Sequence, residues 1–320
     1  MNENRKKYWP EYKWSNVNAM IQNMKRKPLT NPESFRDKLV VITGATSGIG
    51  YSTARKFASM GAQILMINRN PEKSEKVRRE IAEEFGTKIN YFIADLSYLD
   101  EIQKTAQHLL SLETPIDVLI HNAGVHLQTR KENPLGLEEN FAVHYLCPLI
   151  ITKALIPKYQ KDQTGRILLV SSEAYRFAAW GLDLDDLQWK KRHYTGIQAY
   201  GAGKLAQIQF MHILADELKP YRVTINAMHP GMVRTQTGRD NGRFYKWYKR
   251  TVIDRLSDTA DVSAEALYYL GTAPGLADTS DVFFHLTTQE ELTPPAQDLA
   301  AAAALLEKTK AFLSEQGISL

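Results

Sequence analysis

The chain has 320 residues, 43% of them hydrophobic and 24% charged, which excludes a disordered protein and is enough for one large core. This length is compatible with two domains or with one α/β unit that carries additional segments. The one cysteine, Cys147, excludes an internal disulfide framework and a zinc site built from cysteines, and we expect no metal ion.

The net charge of +4 is concentrated in two segments. Residues 1–38 carry nine Lys/Arg against four Asp/Glu, and residues 238–255 carry six against two, so the rest of the chain sums to −5. A nucleic-acid-binding protein needs a basic stripe on its folded body, and this distribution argues against such a partner. Because no run of about 18 apolar residues and no signal-peptide pattern occurs, we expect no transmembrane helix and a cytoplasmic location.

Along the chain, short apolar runs alternate with longer stretches of helical periodicity. The runs are continuously apolar, as in strands that are buried on both faces of a parallel sheet. They predict six strands: Leu39–Ile42, Ile64–Ile67, Tyr91–Ala94, Val118–Ile120, Ile167–Val170 and Val223–Ala227. Helices are predicted over residues 49–60 and 71–85, each followed by a glycine, and near the C-terminus after Pro294–Pro295.

This alternation predicts a doubly wound α/β sheet of Rossmann type. We expect a single domain over residues 37–290, preceded by a basic and aromatic N-terminal extension over residues 1–36. A C-terminal helix is expected within residues 291–320.

The segment Thr43-Gly44-Ala45-Thr46-Ser47-Gly48-Ile49-Gly50 joins the first strand to the first helix. Glycines let the backbone approach a pyrophosphate, and a helix N-terminus offers free N–H groups to phosphate. The spacing Gly-x-x-x-Gly-x-Gly differs from the standard dinucleotide fingerprint, and a tight structural turn would contain similar residues. The position between strand and helix favours a cofactor site. Its predicted members are Gly44, Thr46, Ser47, Gly48, Ile49 and Gly50.

Three further strand ends predict the rest of this site. The second strand ends in Arg69 without a carboxylate, which favours the 2′-phosphate of NADP(H) and leaves NAD(H) as the second choice; the alternative is a solvated surface arginine. After the third strand, Asp95 with Leu96 is placed to meet the adenine amino group, and Asp95 could also cap the next helix. Asn122-Ala123-Gly124 follows the fourth strand as a turn with a buried amide.

A candidate catalytic group follows the fifth strand. Ser171-Ser172 ends this strand, and Tyr200 and Lys204 then share one face of a predicted helix. A nearby ammonium lowers the pKa of a phenol, which can then donate a proton to a carbonyl oxygen or accept one from an alcohol. A Tyr-x-x-x-Lys pair is common by chance. Here it follows a strand-end serine pair in a chain that also contains the glycine-rich segment of residues 43–50, hereafter the phosphate loop, and this combination predicts an oxidoreductase.

In order and spacing, these motifs resemble the short-chain dehydrogenase/reductase family over residues 37–285. Gly136-Leu137-Glu138 and His229-Pro230-Gly231 resemble its retinol-dehydrogenase-like and carbonyl-reductase-like branch. The resemblance implies hydride transfer with a nicotinamide cofactor. It implies that Ser172 positions a carbonyl, that Tyr200 is the acid/base and that Lys204 tunes Tyr200 and holds the nicotinamide ribose. The remaining cofactor contacts that it implies are Pro230, Gly231, Val233 and Thr235.

One position departs from the family pattern. The family has an asparagine that holds a water of a proton relay, and counting without gaps from Asn122 places His144 there. Histidine could bind the same water or carry the proton itself, which makes His144 a candidate catalytic residue. The alternatives are a helix histidine without a role and compensation by Asn140. His121 also replaces the first residue of the family's Asn-Asn-Ala-Gly.

The substrate is expected at the carboxyl ends of the strands, between two aromatic segments. One follows the fifth strand, and the other is a predicted lid over about residues 236–260. Their members are Glu173, Tyr175, Phe177 and Trp180 in the first, and Phe244, Tyr245, Trp247 and Tyr248 in the second. Aromatic density favours a bulky lipophilic substrate, although packing of these rings on the body explains them equally well.

The N-terminal extension combines Trp9, Trp14 and Met20 with basic residues. Such a segment could rest on an anionic membrane surface, or pack on the body or on a second subunit of a homo-oligomer. The sequence as a whole predicts an NADP(H)-preferring oxidoreductase that acts on a carbonyl compound or alcohol. A nucleotide-binding sensor without turnover and a membrane-associated scaffold are the alternatives.

Overall fold

The computed structural model describes residues 3–24, 26–231, 260–318 and 320. Within these residues, one sheet has the strand order β3-β2-β1-β4-β5-β6-β7-β8. Neighbours from β3 to β7 are parallel, and β8 runs antiparallel to β7. The strands are β1 Leu39–Thr43, β2 Gln63–Asn68, β3 Ile89–Ile93, β4 Val118–His121, β5 Gly165–Val170, β6 Val223–His229, β7 Phe283–His285 and β8 Thr288–Gln289.

Helices cover both faces of this sheet. They are α1 Glu3–Tyr8, α2 Trp14–Asn23, α3 Gly48–Ser59, α4 Pro71–Phe85, α5 Leu99–Leu110, α6 Glu139–Phe141, α7 Cys147–Ala154, α8 Ile156–Asp162, α9 Gly196–Leu218, α10 Ala260–Thr272, α11 Pro294–Gln297 and α12 Leu299–Glu315. A π-helical turn, Ala142–Leu146, lies between α6 and α7, and the 3-10 turn Glu173–Ala178 follows β5. The predicted terminal helix is divided at Asp298, whose side chain caps α12.

The sheet separates two hydrophobic cores. Side chains of α5, α7, α9 and α12 bury one face, and side chains of α3, α4 and α10 bury the other. β1 and β2 are buried on both faces, as their continuous apolar runs predicted. The doubly wound α/β fold is therefore confirmed, and the six predicted strands are present with slightly different bounds.

The order of the strands creates a crevice for a ligand. β1 pairs with β2 on one side and with β4 on the other, so the chain changes direction across the sheet at β1. In such sheets, ligands bind beyond the carboxyl ends of the strands at this switch point. The phosphate loop after β1 and the Asn122 turn after β4 meet there.

The N-terminal extension packs on the body of the protein. The Tyr8 hydroxyl donates to Asp298 at 2.7 Å, and the backbone N–H of Leu29 donates to Thr287 at 2.8 Å. Among the described residues, no single helix combines the length and hydropathy needed to cross a membrane. Residues 139–162 reach both only as two segments that are bent by 45° at their junction.

Candidate active site

Two glycines of the phosphate loop have a left-handed backbone conformation. Gly44 has φ +72° and Gly48 has φ +58°, in the left-handed region that favours glycine. A Cβ on Gly50 would lie 2.5 Å from the side-chain nitrogen of Asn122, so glycine lets α3 begin against the Asn122 turn. Because α3 starts at Gly48, its first N–H groups have no acceptor within the helix. Open space at Gly48 and these donors fit a dinucleotide phosphate.

The end of β2 fixes this loop and presents Arg69. The side chain of Asn68 accepts from the N–H of Ala45 at 2.8 Å, while its own buried amide nitrogen has no partner among the described residues. Arg69 follows with an exposed side chain. Arg69 therefore lies at the carboxyl end of β2, which is the end of the sheet where the ribose of a dinucleotide is expected.

Asp95 is half-buried after β3, and it does not cap α5. Its carboxylate accepts from the N–H and the hydroxyl of Ser97, at 3.1 and 2.7 Å. The N-cap position of α5 belongs to Tyr98 instead, so the capping interpretation of Asp95 is wrong. Leu96 is buried beside it.

Asn122 joins the ends of β1 and β4. Its amide nitrogen donates to the carbonyls of Thr43 and Gly44 at 2.9 and 3.0 Å. The N–H groups of Asn122 and Ala123 both donate to the Thr43 hydroxyl, at 3.0 and 2.9 Å. The half-buried amide therefore holds the phosphate loop, while Gly124 is exposed at the crevice.

The Ser172 turn and helix α9 approach each other closely. The Ser172 hydroxyl accepts from the N–H of Ala174 at 3.1 Å and caps the 3-10 turn. Tyr200 is followed by Gly201, where a Cβ would lie 2.5 Å from the Ala174 carbonyl oxygen. Glycine at 201 therefore allows the serine turn to pack directly beside the tyrosine.

Lys204 is enclosed below this pair. Its ammonium donates to the carbonyl of Val170, the last residue of β5, at 2.6 Å, and lies 5.8 Å from the centre of the Tyr200 ring. Only 3% of the residue is exposed. Burial lowers the pKa of Lys204 to about 7.

His144 lies in the π-helical turn, and its ring centre is 5.1 Å from that of Tyr200. Its Nε2 lies 2.8 Å from the carbonyl oxygen of Val125 and 3.3 Å from the backbone nitrogen of the same residue, so it can either donate to the carbonyl or accept from the N–H. We assign the proton to Nε2 because the contact with the carbonyl is the shorter of the two. The buried Nδ1 then faces inward as an acceptor without a partner among the described residues. Burial and the nearby charge of Lys204 hold the pKa of His144 well below its ordinary value.

Asn140 is fully buried away from this position. Its amide nitrogen donates to the carboxylate of Glu138 at 2.7 Å and to the hydroxyl of Tyr194 at 2.9 Å. His121 lies on β4, where its Nε2 is 3.1 Å from the hydroxyl of Thr152. Burial lowers the pKa of His121 to about 3. Both side chains have local partners of their own.

The substrate side agrees only in part with the sequence. Tyr175 is in the core, where its hydroxyl accepts from the N–H of Thr293 at 3.2 Å, so it does not frame the crevice. Trp180 packs against the N-terminal extension, and Phe177 is 58% exposed. Pro230 and Gly231 follow β6 at the same edge. Val233, Thr235 and lid residues 236–259 lie outside the described residues.

Sequence reasoning missed two groups beside this crevice. The ring of His126 lies 5.0 Å from that of Tyr200, and burial lowers its pKa. Arg176 pairs with the carboxylates of Glu173 and Glu290 behind the Ser172 turn. Burial raises the pKa of Glu173 to about 7, and the charge of Arg176 opposes this rise. The sequence did contain a signal for His126, because it lies two residues after the Asn122-Ala123-Gly124 turn.

Residues 38–182 and 189–245 match a family model described as short chain dehydrogenase. The match covers more than half of the chain, so this protein belongs to the short-chain dehydrogenase/reductase family and is an NAD(P)-dependent oxidoreductase. It is retinol-dehydrogenase-like. Human retinol dehydrogenase 13 is 33% identical over 273 residues, which cover 84% of this chain and 82% of the relative. Human retinol dehydrogenase 14 is 31% identical over 305 residues, or 90% and 89% of the two chains.

Solved structures agree with this assignment. An uncharacterised protein from Mycobacterium paratuberculosis has a TM-score of 0.70 and 26% identity, covering 90% of this chain and 98% of its own. A short-chain dehydrogenase from Escherichia coli CFT073, solved in complex with NADPH, has a TM-score of 0.61 and 25% identity. It covers 80% of this chain and 99% of its own.

Proposed function

We propose that this protein transfers a hydride between NADP(H) and a bulky lipophilic carbonyl compound or the corresponding primary or secondary alcohol. The observation that carries the proposal is the close packing of the Ser172 turn on helix α9 beside Tyr200, with Lys204 beneath and the phosphate loop at the same sheet edge. The bound nicotinamide supplies the hydride. The chain's own residues orient the substrate and move the proton.

In this reaction, the Ser172 hydroxyl donates to the substrate oxygen and Tyr200 donates or accepts the proton. Lys204 supports the phenolate by its charge. His144 acts as a neutral residue, since its low pKa opposes its use as a proton carrier. Its free Nδ1 accepts a hydrogen bond from a water that connects the site to Lys204.

The NADP(H) preference is proposed from Arg69. An exposed guanidinium at the end of β2 matches the charge and geometry of a 2′-phosphate. The NADPH complex of the Escherichia coli relative supports this choice. The relatives named retinol dehydrogenase, together with exposed Phe177, support a lipophilic substrate.

Tyr200→Phe tests the activity directly. We expect wild-type protein to consume NADPH with a member of a panel of lipophilic aldehydes, ketones and quinones, and Tyr200→Phe to lose at least about a hundredfold in kcat, because the acid/base is removed. The matched control is Tyr221→Phe, which removes a phenol hydroxyl that bonds Gln160 at the opposite edge of the sheet. Turnover that survives in Tyr200→Phe would contradict the assigned role. Binding of NADPH without turnover would favour the sensor.

Arg69→Ala tests the cofactor preference. We expect the ratio of kcat/KM for NADPH to that for NADH to fall about tenfold or more, because a charged contact to phosphate is lost. Arg36→Ala is the control, since it removes one exposed positive charge from the amino end of β1. An unchanged ratio in Arg69→Ala would show that another group selects the cofactor.

A further inference from the structure

Residues 3–24 of the N-terminal extension lie outside the part of the chain that matches the family model, yet they contact the segment that follows β5. The Tyr12 hydroxyl donates to the carbonyl of Ala179 at 2.8 Å. The ring centres of Trp9 and Tyr12 lie 6.1 and 6.0 Å from that of Trp180. The extension therefore covers the far end of this segment.

A second contact lies nearer to the catalytic turn. Arg176 pairs with Glu173 through Nε, with Glu290 at 2.8 Å through one terminal nitrogen, and with the side-chain oxygen of Asn16 through the other. Asn23 completes this group, because its amide donates to the second oxygen of Glu290 at 2.8 Å. Helix α2 thus supplies two partners to a buried ionic cluster.

The charged groups of this cluster are buried, so the loss of any one hydrogen-bond partner is costly. The side chain of Arg176 is 16% exposed and that of Glu290 is 1% exposed. A buried guanidinium must have its N–H groups paired, and the loss of one partner leaves an uncompensated donor. Asn16 is itself held at the other end, since its amide donates to the carbonyl of Glu291 at 2.9 Å. Its oxygen is therefore fixed toward Arg176.

The cluster reaches the candidate catalytic serine through one peptide bond. Glu173, the partner of Arg176, directly follows Ser172. The N–H of Glu173 points to Nδ1 of His229 at 3.4 Å, and the Ser172 hydroxyl accepts from Ala174 in the same turn. Movement of the Glu173 carboxylate would therefore change the turn that orients the serine hydroxyl.

We propose that Asn16 of the N-terminal extension and Arg176 are positioning residues for Ser172. The extension completes the support of the active site through the contacts Asn16–Arg176–Glu173. This role rests on the function proposed above for Ser172. In this role, the extension contributes to catalysis by supporting the turn that contains Ser172, in addition to packing on the body of the protein.

Asn16→Ala in the full-length chain tests this role, with Asn18→Ala as control because Asn18 is an exposed asparagine of the same helix. We expect kcat for the carbonyl substrate to fall about tenfold in Asn16→Ala, with the Kd of NADPH changed by less than about twofold. Asn16→Asp keeps an oxygen acceptor for Arg176 and should retain more activity than Asn16→Ala. Hydrogen–deuterium exchange of residues 172–178 should be faster in Asn16→Ala than in Asn18→Ala.

The outcomes separate this role from the proposed function. Turnover that requires Tyr200, with equal kinetics and exchange in the two asparagine variants, would overturn the positioning role alone. A lower melting temperature with unchanged kcat would also overturn it, because that result indicates a structural contact only. If wild-type protein shows no turnover, the proposed function fails, and equal exchange in the two variants would then overturn the contact between Asn16 and the turn.

Discussion

Lys204 is almost completely buried beside Tyr200. Its pKa of about 7 means that part of the cofactor-free population is neutral near physiological pH. Its hydrogen bonds to Val170 and, at 3.4 Å, to Gln207 keep the side chain in place in either state. The burial of a charged Lys204 beside Tyr200 therefore destabilises the folded protein.

This cost predicts a pH dependence of stability. The unfolded chain keeps the Lys204 proton up to about pH 10, whereas the folded protein releases it above about pH 7, so stability rises with pH within this window. Lys204→Met removes the buried charge. The gain in free energy of unfolding over wild type should be largest below pH 7, and it should be smaller by about 3 kcal/mol at pH 9, since each pH unit above the folded pKa contributes about 1.4 kcal/mol.

Chemical denaturation of the cofactor-free protein at pH 6 and pH 9 measures this difference. Lys219→Met, at an exposed position, shows how much any lysine replacement contributes. A Lys204→Met gain that is the same at both pH values would contradict the lowered pKa.

Helix α9 brings two neighbours of the active site together through its glycines. Gly201 admits the Ser172 turn, and a Cβ on Gly203 would lie 3.2 Å from the carbonyl oxygen of Asn140, one turn before His144. Each glycine of Tyr-Gly-Ala-Gly-Lys lowers helix stability by about 1 kcal/mol relative to alanine. The glycines nevertheless let neighbouring segments pack closely against α9. Spacing alone predicted the shared face of Tyr200 and Lys204, but not the reason for the glycines between them.

Gly201→Ala tests whether close packing of the Ser172 turn on α9 requires glycine at this position. Helix propensity alone would stabilise the protein, but the new Cβ would meet the Ala174 carbonyl, and backbone cannot yield as a flexible side chain does. We expect a loss of about 1–3 kcal/mol in unfolding free energy and a loss of kcat, measured by denaturation and NADPH consumption. Gly275→Ala is the control, because a Cβ there meets nothing within 4 Å. A stabilised, fully active Gly201→Ala would contradict the close-packing role.

Elements with strong local signals were predictable. Each of the six apolar runs gave a strand, and the glycines after positions 60 and 85 marked the ends of α3 and α4 closely. β7 and β8 were missed because β7 contains only two apolar residues and β8 contains none, and the two strands form through pairing with β6 and with each other. The π-helical turn around His144 was also missed, because one extra residue in a helical turn barely changes the apolar pattern.

For the whole molecule, the two-faced core followed from sequence because its signal is repeated in every strand and helix. The position of the N-terminal extension did not follow, and the sequence left open the body, a membrane and a second subunit. The hydrogen bonds from residues 3–24 to the body join residues that are 160 to 291 positions apart, such as Asn16 with Arg176 and Lys7 with Asp298. No local pattern encodes such pairs.

The same long-range pairing orders events during synthesis. Residues 3–24 are synthesised well before several of their partners, among them Glu290, Leu292 and Asp298. The contacts with these three partners cannot form before residues 290–298 have been synthesised, and contacts of such sequence separation form late in folding. We therefore expect the docking of residues 3–24 on residues 290–298 to be a late step of folding.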